Sequence, residues 1–213
     1  MSAGFQRARR PEQVEARRRA ILAAARELLA ERPVAGISLR ELSCRVGLAK
    51  SNVIRYFGSR EAIFLEVLDG AWTAWLDDLE GALGEPGPAE PGFAREQRIA
   101  GTIAATLAGR PVLCELMSSM APVLERNIPV EFARSFRRRA AANTERLGEL
   151  VRVRVPELPS EAARHFARGV VVLVSGTWPA AQPTAASEVG GPPVFEVADG
   201  LTNLLAGLVA RRG

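Results

Sequence analysis

The sequence predicts an all-α protein built as an N-terminal three-helix unit joined by a long helix to a larger helical domain. Two observations carry this. The long segments are rich in Ala, Leu, Arg and Glu with apolar residues recurring at helical spacing, while Gly and Pro cluster between them. Within residues 38–57, SLRELSCRVGLAKSNVIRYF reads as two short amphipathic helices meeting at one glycine.

The first predicted helix runs from Arg19 to Ala30, with Ile21, Leu22, Ala25, Leu28 and Leu29 inward. Ser38 followed by Glu41 is a capping box, which starts a second helix with Leu39, Leu42 and Val46 on one face. Gly47 can adopt the left-handed conformation that ends it, and Leu48 re-enters the core. The third helix begins near Ala49 and turns Val53, Ile54 and Phe57 inward. Lys50, Ser51, Asn52 and Arg55 then cluster at or near its outward, N-terminal side, where hydroxyls and amides read base edges and cations meet phosphates. Ser38, Arg40, Tyr56 and Arg60 complete the candidate DNA-contacting set.

Several motifs in fixed order carry a resemblance. Ile21-Leu22-Ala23-Ala24-Ala25, Val46-Gly47-Leu48-Ala49, Ile54-Arg55-Tyr56-Phe57 and Ser59-Arg60-Glu61-Ala62-Ile63 together resemble the DNA-binding domain of the TetR family of bacterial transcriptional repressors, over roughly residues 15–68. Three positions depart from its pattern. Ala49 stands where Ser or Thr is usual, which removes a side-chain cap worth ~1 kcal/mol. Ile54 replaces the first tyrosine of a Tyr-x-Tyr-Phe run, and Cys44-Arg45 replace a small residue before the turn. Tyr56, Lys50 and Arg60 are therefore expected to carry more of the phosphate contacts.

Charge points the same way without the motif. Residues 1–60 hold 13 Arg and Lys against 5 Asp and Glu, a net of +8, whereas residues 61–213 hold 15 against 19, a net of −4, which together make the chain's +4. Phosphate neutralisation needs such asymmetry and makes binding salt-dependent. The organisation expected is a basic arm over residues 1–14, a helix-turn-helix domain over 15–60 and a helical effector-binding and dimerisation domain over 61–213. The arm arginines Arg7, Arg9 and Arg10, with Arg17, Arg18 and Arg19 beyond it, are expected to touch DNA backbone or minor groove.

Onward, Ser59 caps a long helix to about Ala82, with Phe64, Val67, Leu68, Ala71, Trp72, Trp75 and Leu79 at helical spacing. The segment Gly84–Gly92 is a loop, Phe93–Ala108 a helix, and Pro111 suits the first turn of another. Pro129 opens a longer helix to about Val155. Ser160 caps one to about Thr177, Pro179–Pro193 reads as a linker, and the last helix spans Val194–Ala210.

Aromatic and sulfur-bearing positions in this second domain supply candidates for a partly apolar effector pocket: Trp72, Trp75, Phe93, Leu113, Met117, Met120, Phe132, Phe136 and Phe166, with His165, the sole histidine, able to orient a polar group. Such residues fill cores more often than they bind ligands. The Arg137-Arg138-Arg139 run reads as a solvated helix face. Gly169 and Gly176, and Gly200 and Gly207, repeat a seven-residue spacing in the last two helices. An interior glycine costs about 1 kcal/mol relative to alanine, so close helix packing is the expected gain. With Leu173, Leu204 and Leu208 they form the candidate homodimer interface, a four-helix bundle between protomers that the resemblance also implies.

The function expected is a DNA-binding regulator, a repressor released from a pseudo-palindromic operator by a small molecule; the alternative is a helical protein-binding adaptor. An enzyme finds little support, because one His and two distant Cys assemble no nucleophile-base pair or metal site, and no cofactor or metal is expected. Cys44 and Cys114 read as reduced thiols of a cytoplasmic protein, either of them a candidate redox sensor. No segment reads as a signal peptide or a membrane span.

Overall fold

The computed structural model describes residues 3–87, 91–120, 128–181 and 193–211, of which 3–10 and 193–196 by backbone alone. Among them the order is α1 (Ala3–Glu31), a 3-10 turn η1 (Val34–Gly36), α2 (Leu39–Arg45), α3 (Lys50–Phe57), α4 (Arg60–Leu83), α5 (Ala94–Ala108), α6 (Pro111–Met120), α7 (Val130–Arg154), α8 (Ser160–Ala181) and α9 (Pro193–Ala210). The described residues contain no strand.

Local signals set the boundaries of the first four helices. The Ser38 hydroxyl accepts from the Glu41 amide at 3.2 Å while the Glu41 carboxylate accepts from the Ser38 amide at 2.8 Å, closing the capping box. Gly47 ends α2 at φ +64°, a conformation that a side chain would strain. Ala49 precedes α3 and caps nothing, and Ser59 accepts from the Ala62 amide to start α4. Helix α1 begins at Ala3, within the segment expected to be an arm.

One continuous core runs from Ile21 to Leu205, and α4 threads it. Its Ile63, Phe64, Val67, Leu68, Trp72, Trp75, Leu76 and Leu79 are all buried, and α4 packs on α1 and α3 at one end and on α5, α6 and α7 further along. Helices α5 and α6 meet at 95° across Gly109 and Arg110, with Pro111 at the first position of α6 as expected. Of the segment expected as a linker, Pro179 to Ala181 continue α8 and Pro193 begins α9, while residues 182–192 lie outside the described residues. A proline this near the end removes one backbone donor and leaves a single turn to finish.

The glycines of α8 and α9 require a correction. A Cβ on Gly169 would lie 2.2 Å from Leu204 Cδ2, and one on Gly200 would lie 3.4 Å from Leu173 Cδ1. These two glycines therefore seat leucines of the facing helix within one chain. Gly176 has nothing within 4 Å of its Cβ position, and Gly207 only the Arg211 guanidinium at 3.7 Å.

The tightest backbone approach involves a glycine the sequence does not single out. A Cβ on Gly148 of α7 would meet the Ala163 carbonyl oxygen of α8 at 3.1 Å and its carbon at 3.2 Å. Main chain cannot rotate away as a leucine tip can. Gly148→Ala is expected to lower stability by about 1 kcal/mol, the crowding outweighing alanine's better helix propensity. Gly81→Ala in α4, with no atom within 4 Å, should instead be neutral or stabilising. Urea unfolding of the two variants checks the contrast.

Candidate nucleic-acid interface

Helix α3 has eight residues and is held by its inner face, where Val53 is fully buried and Phe57 is 5% exposed. Full burial of side chains of this size contributes roughly 1.5–3 kcal/mol each. Arg18 of α1 adds a second hold. Its guanidinium donates to the Tyr56 carbonyl, pairs with Glu66 of α4 at 2.8 Å and lies 4.2 Å from the Phe57 ring centroid. Gly58 then ends α3 at φ +83° with Pro129, at the start of α7, against it.

The outer face follows from this anchoring. Lys50, Ser51, Asn52 and Arg55 are all exposed, as is Arg40 on α2. Among the described residues, no carboxylate pairs with Arg40, Lys50 or Arg55. The acids of the head are engaged elsewhere: Arg45 pairs with Glu27 at 3.3 Å and Glu31 at 2.9 Å, and Arg32 with Glu41 at 2.8 Å and Glu31 at 3.4 Å. The Arg45 and Arg32 guanidiniums hold the Glu31 carboxyl below its ordinary range, and the Ser38 amide and hydroxyl do the same for Glu41, so both stay ionised. An open groove beside α3 is lined by Gln13, Val14, Ala16, Arg17 and Ala20 of α1 with Arg55 and Tyr56, whose ring is partly buried. Arg17, expected at DNA, thus borders the same surface, and the packing of α1 on α3 adds Gln13 to it.

Three predicted contact residues are occupied within the fold: Arg18, as above, with Ser38 and Arg60. Ser38 spends its hydroxyl as the α2 cap. Arg60, expected at a phosphate, donates to the carbonyls of Ile37 and Val34, pairs with Glu61 at 3.0 Å and stacks 4.9 Å from the Phe64 ring centroid. Its side chain is only 17% exposed. The guanidinium satisfies the Ile37 carbonyl and adds a second donor to that of Val34, which also accepts from the Ile37 amide at 3.2 Å.

In the second domain the predicted pocket residues divide. Trp72, Trp75, Leu113, Met117, Phe136 and Phe166 are at most 2% exposed and form solid core, while Met120 and Phe132 lie partly buried at its edge. The Trp75 indole donates to Thr106 at 3.0 Å, whereas that of Trp72 is buried without a hydrogen-bond partner. Phe93 is 48% exposed at the start of α5 and His165 lies exposed on α8, so neither faces an interior. Spacing places a residue on a helix face but does not say which face another helix covers. A narrow cleft of about 30 Å³ opens between α5, α6, α8 and α9, lined by Ala104, Leu107, Ala108, Cys114, Val174, Thr177, Trp178 and Val197. Burial pushes the Cys114 thiol up to about 12, which keeps it protonated and unreactive, while Cys44 is exposed. In the Arg137–Arg139 run the first two are exposed and Arg139 pairs with Asp69 at 2.6 Å.

Among the described residues no three His, Cys, Asp or Glu side chains gather as metal ligands, and no single helix is long and apolar enough to cross a membrane.

Residues 21–67 match the family described as bacterial regulatory proteins, tetR family, and residues 69–188 match the tetracyclin repressor-like C-terminal domain. The chain belongs to the TetR family. It is accordingly a DNA-binding transcriptional regulator of the helix-turn-helix type, a group that is generally non-enzymatic. Similar TetR-family folds include a regulator from Rhodococcus sp. RHA1 (17% identity, TM-score 0.55, covering 90% of this chain and 96% of that one). FadR from Bacillus subtilis, solved with stearoyl-CoA, is another (17%, TM-score 0.58, 88% and 97%). A third is the repressor AlkX from Dietzia sp., implicated in n-alkane biodegradation (19%, TM-score 0.54, 91% and 95%). No curated protein matches the chain.

The placement of Arg60 in this TetR-family head yields a test. Arg60→Ala should destabilise the protein by about 2–3 kcal/mol, since it removes two charge-assisted hydrogen bonds to backbone carbonyls, and Arg60→Lys should recover little because one ammonium cannot reproduce the fork. Arg40→Ala, at an exposed site, should change stability by less than about 0.5 kcal/mol. Urea midpoints distinguish the two.

Proposed function

We propose that the chain is a dimeric repressor that holds a pseudo-palindromic operator through two copies of α3 and is released by a small, largely apolar effector. The observation that carries this is the outer face of α3: two cations, a hydroxyl and an amide, all exposed and without carboxylate partners, on a helix whose opposite face is locked into the core. Lys50 at the first position of α3 suits phosphate, helped by first-turn amides that Ala49 leaves uncapped. Ser51, Asn52 and Arg55 suit base edges. Arg17 and Tyr56, beside the groove next to α3, extend the phosphate track.

Two recognition helices must enter successive major grooves about 34 Å apart, which calls for a fixed dimer. The α8 and α9 pair supports one, in a form revised from the expectation above. Gly169 with Leu204 and Gly200 with Leu173 join the two helices inside each protomer. The outer stripe of α8 then presents His165, Arg168, Val172 and Gly176, with Val172 69% exposed, and this is the face we assign to the partner protomer.

Effector release is supported by the cleft between α5, α6, α8 and α9, whose lining is almost wholly apolar. FadR from Bacillus subtilis, a similar fold, was solved with stearoyl-CoA, a ligand with a long apolar chain. An effector that fits one spacing of the two heads better than the other shifts DNA binding by that difference in affinity.

Lys50→Ala/Arg55→Ala should abolish specific binding to operator duplex selected by the wild-type protein, and Lys50→Ala alone should flatten the dependence of log affinity on log salt by about 1. Melting temperatures should stay close to wild type. Equal affinity for the double variant, read by fluorescence anisotropy across a salt series, contradicts the assignment of α3.

A further inference from the structure

One carboxylate in the C-terminal domain touches the DNA-reading head and the wall of the apolar cleft at once. Glu115 lies on α6. Its Oε1 accepts from the Val34 backbone amide in η1 at 3.1 Å, and its Oε2 accepts from the Trp178 indole Nε1 of α8 at 3.3 Å. Trp178 itself lines the cleft. The next peptide unit is held too, because the Val34 carbonyl accepts from Arg60 at the start of α4. Val34 is 1% exposed, so its amide has no water to turn to.

We propose that Glu115 is the positioning residue through which Trp178 sets the head, making Trp178, Glu115, Val34 and Arg60 one hydrogen-bonded relay from the cleft to the start of the helix-turn-helix; this rests on the regulatory reading above. The relay adds directional hydrogen bonds to a helix contact that is largely apolar. Helix α6 packs chiefly on α8 but also reaches α1 and η1, so it is the layer between cleft and head. A second hydrogen bond, from Ser175 of α8 to the Met117 carbonyl at 3.1 Å, ties α6 to the same side of α8. An effector entering the cleft lies against the Trp178 ring. Displacing that ring withdraws the indole donor, and Glu115 must then re-aim the carboxylate that holds Val34. A charged acceptor with two neutral donors has no equivalent substitute in a side chain that cannot both accept twice and reach both partners.

The relay also fixes what an effector needs. It requires a flat or chain-like apolar body able to press on the indole, with no formal charge at the end that enters, since the described cleft lining offers no counter-charge.

Full-length Glu115→Ala and Trp178→Phe variants test this with operator duplex selected by the wild-type protein. Each should bind that duplex at least threefold more weakly, with circular dichroism unchanged, and Glu115→Gln should fall between wild type and alanine. Trp178→Phe keeps an aromatic ring in the cleft wall and so separates the lost donor from lost packing; it decides the matter alone if Glu115→Ala does not fold. A second reading does not pass through packing at all. The Trp178 indole N–H resonance, assigned by its loss in Trp178→Phe, should shift when wild-type protein binds operator and should not shift in Glu115→Gln. Independently of DNA, exchange of the Val34 amide should be at least threefold faster in Trp178→Phe than in wild type. Binding within threefold of wild type in the variants, an indole resonance indifferent to operator, or unchanged Val34 exchange overturns the relay. Failure of the wild-type protein to bind any duplex overturns the regulatory reading instead, and the amide exchange then still decides whether the relay exists.

Discussion

An eight-residue helix is too short to persist in water by its own propensity, and α3 must therefore be made by what it packs against. Val53 and Phe57 bury its inner side, and Arg18 grips the Tyr56 carbonyl while covering the Phe57 ring. These contacts outweigh the missing cap at Ala49, since burial of two large side chains exceeds a cap worth ~1 kcal/mol several-fold. Every outward property of α3 depends on this inward anchoring. Ser51, Asn52 and Arg55 can be chosen for what they meet in solution because none of them is needed to hold the helix.

The same arrangement explains why the head does not hang loosely. Helix α4 begins at the end of α3 and continues through the core of the second domain, with buried residues along nearly its whole length. Arg60 anchors its start to η1, and Asp69, Asp77 and Glu80 along its exposed side pair with Arg139 and Arg146 of α7. The pairs are exposed and individually modest, yet they sit on one helix contact and act on its register. In the proposed mechanism, rotation of the second domain's helices would reach the head by α4 directly and by α6 through η1.

Much of the head was legible in the sequence because its signals are local. The Ser38–Glu41 box, the turn at Gly47, the uncapped start at Ala49 and the cap at Ser59 each involve residues within four positions of one another, and all four are present. The exposed set on α3 followed from periodicity. What was not legible depends on contacts between distant segments. Arg60 looked like one more cation near DNA, and only the position of η1 commits it to carbonyls. Gly169 and Gly200 were recognised as close-packing residues, but a seven-residue spacing cannot say whether the leucine it admits belongs to the same chain. Phe93 and His165 were placed in a pocket by residue type and are exposed, whereas Trp178, Thr177 and Cys114 line the cleft and carried no signal beyond being apolar or small. Glu115 was invisible for the same reason, its two partners lying 81 and 63 positions away.

Selection of bound fragments from a random duplex library by the purified full-length chain tests the central claim most directly, because it reads recognition, symmetry and spacing together. The account predicts enrichment of an inverted repeat whose half-sites recur about one helical turn, or a multiple of it, apart, as two α3 helices on a twofold dimer require. Retention of no duplex in dilute salt, or enrichment of a site without twofold symmetry, would contradict it.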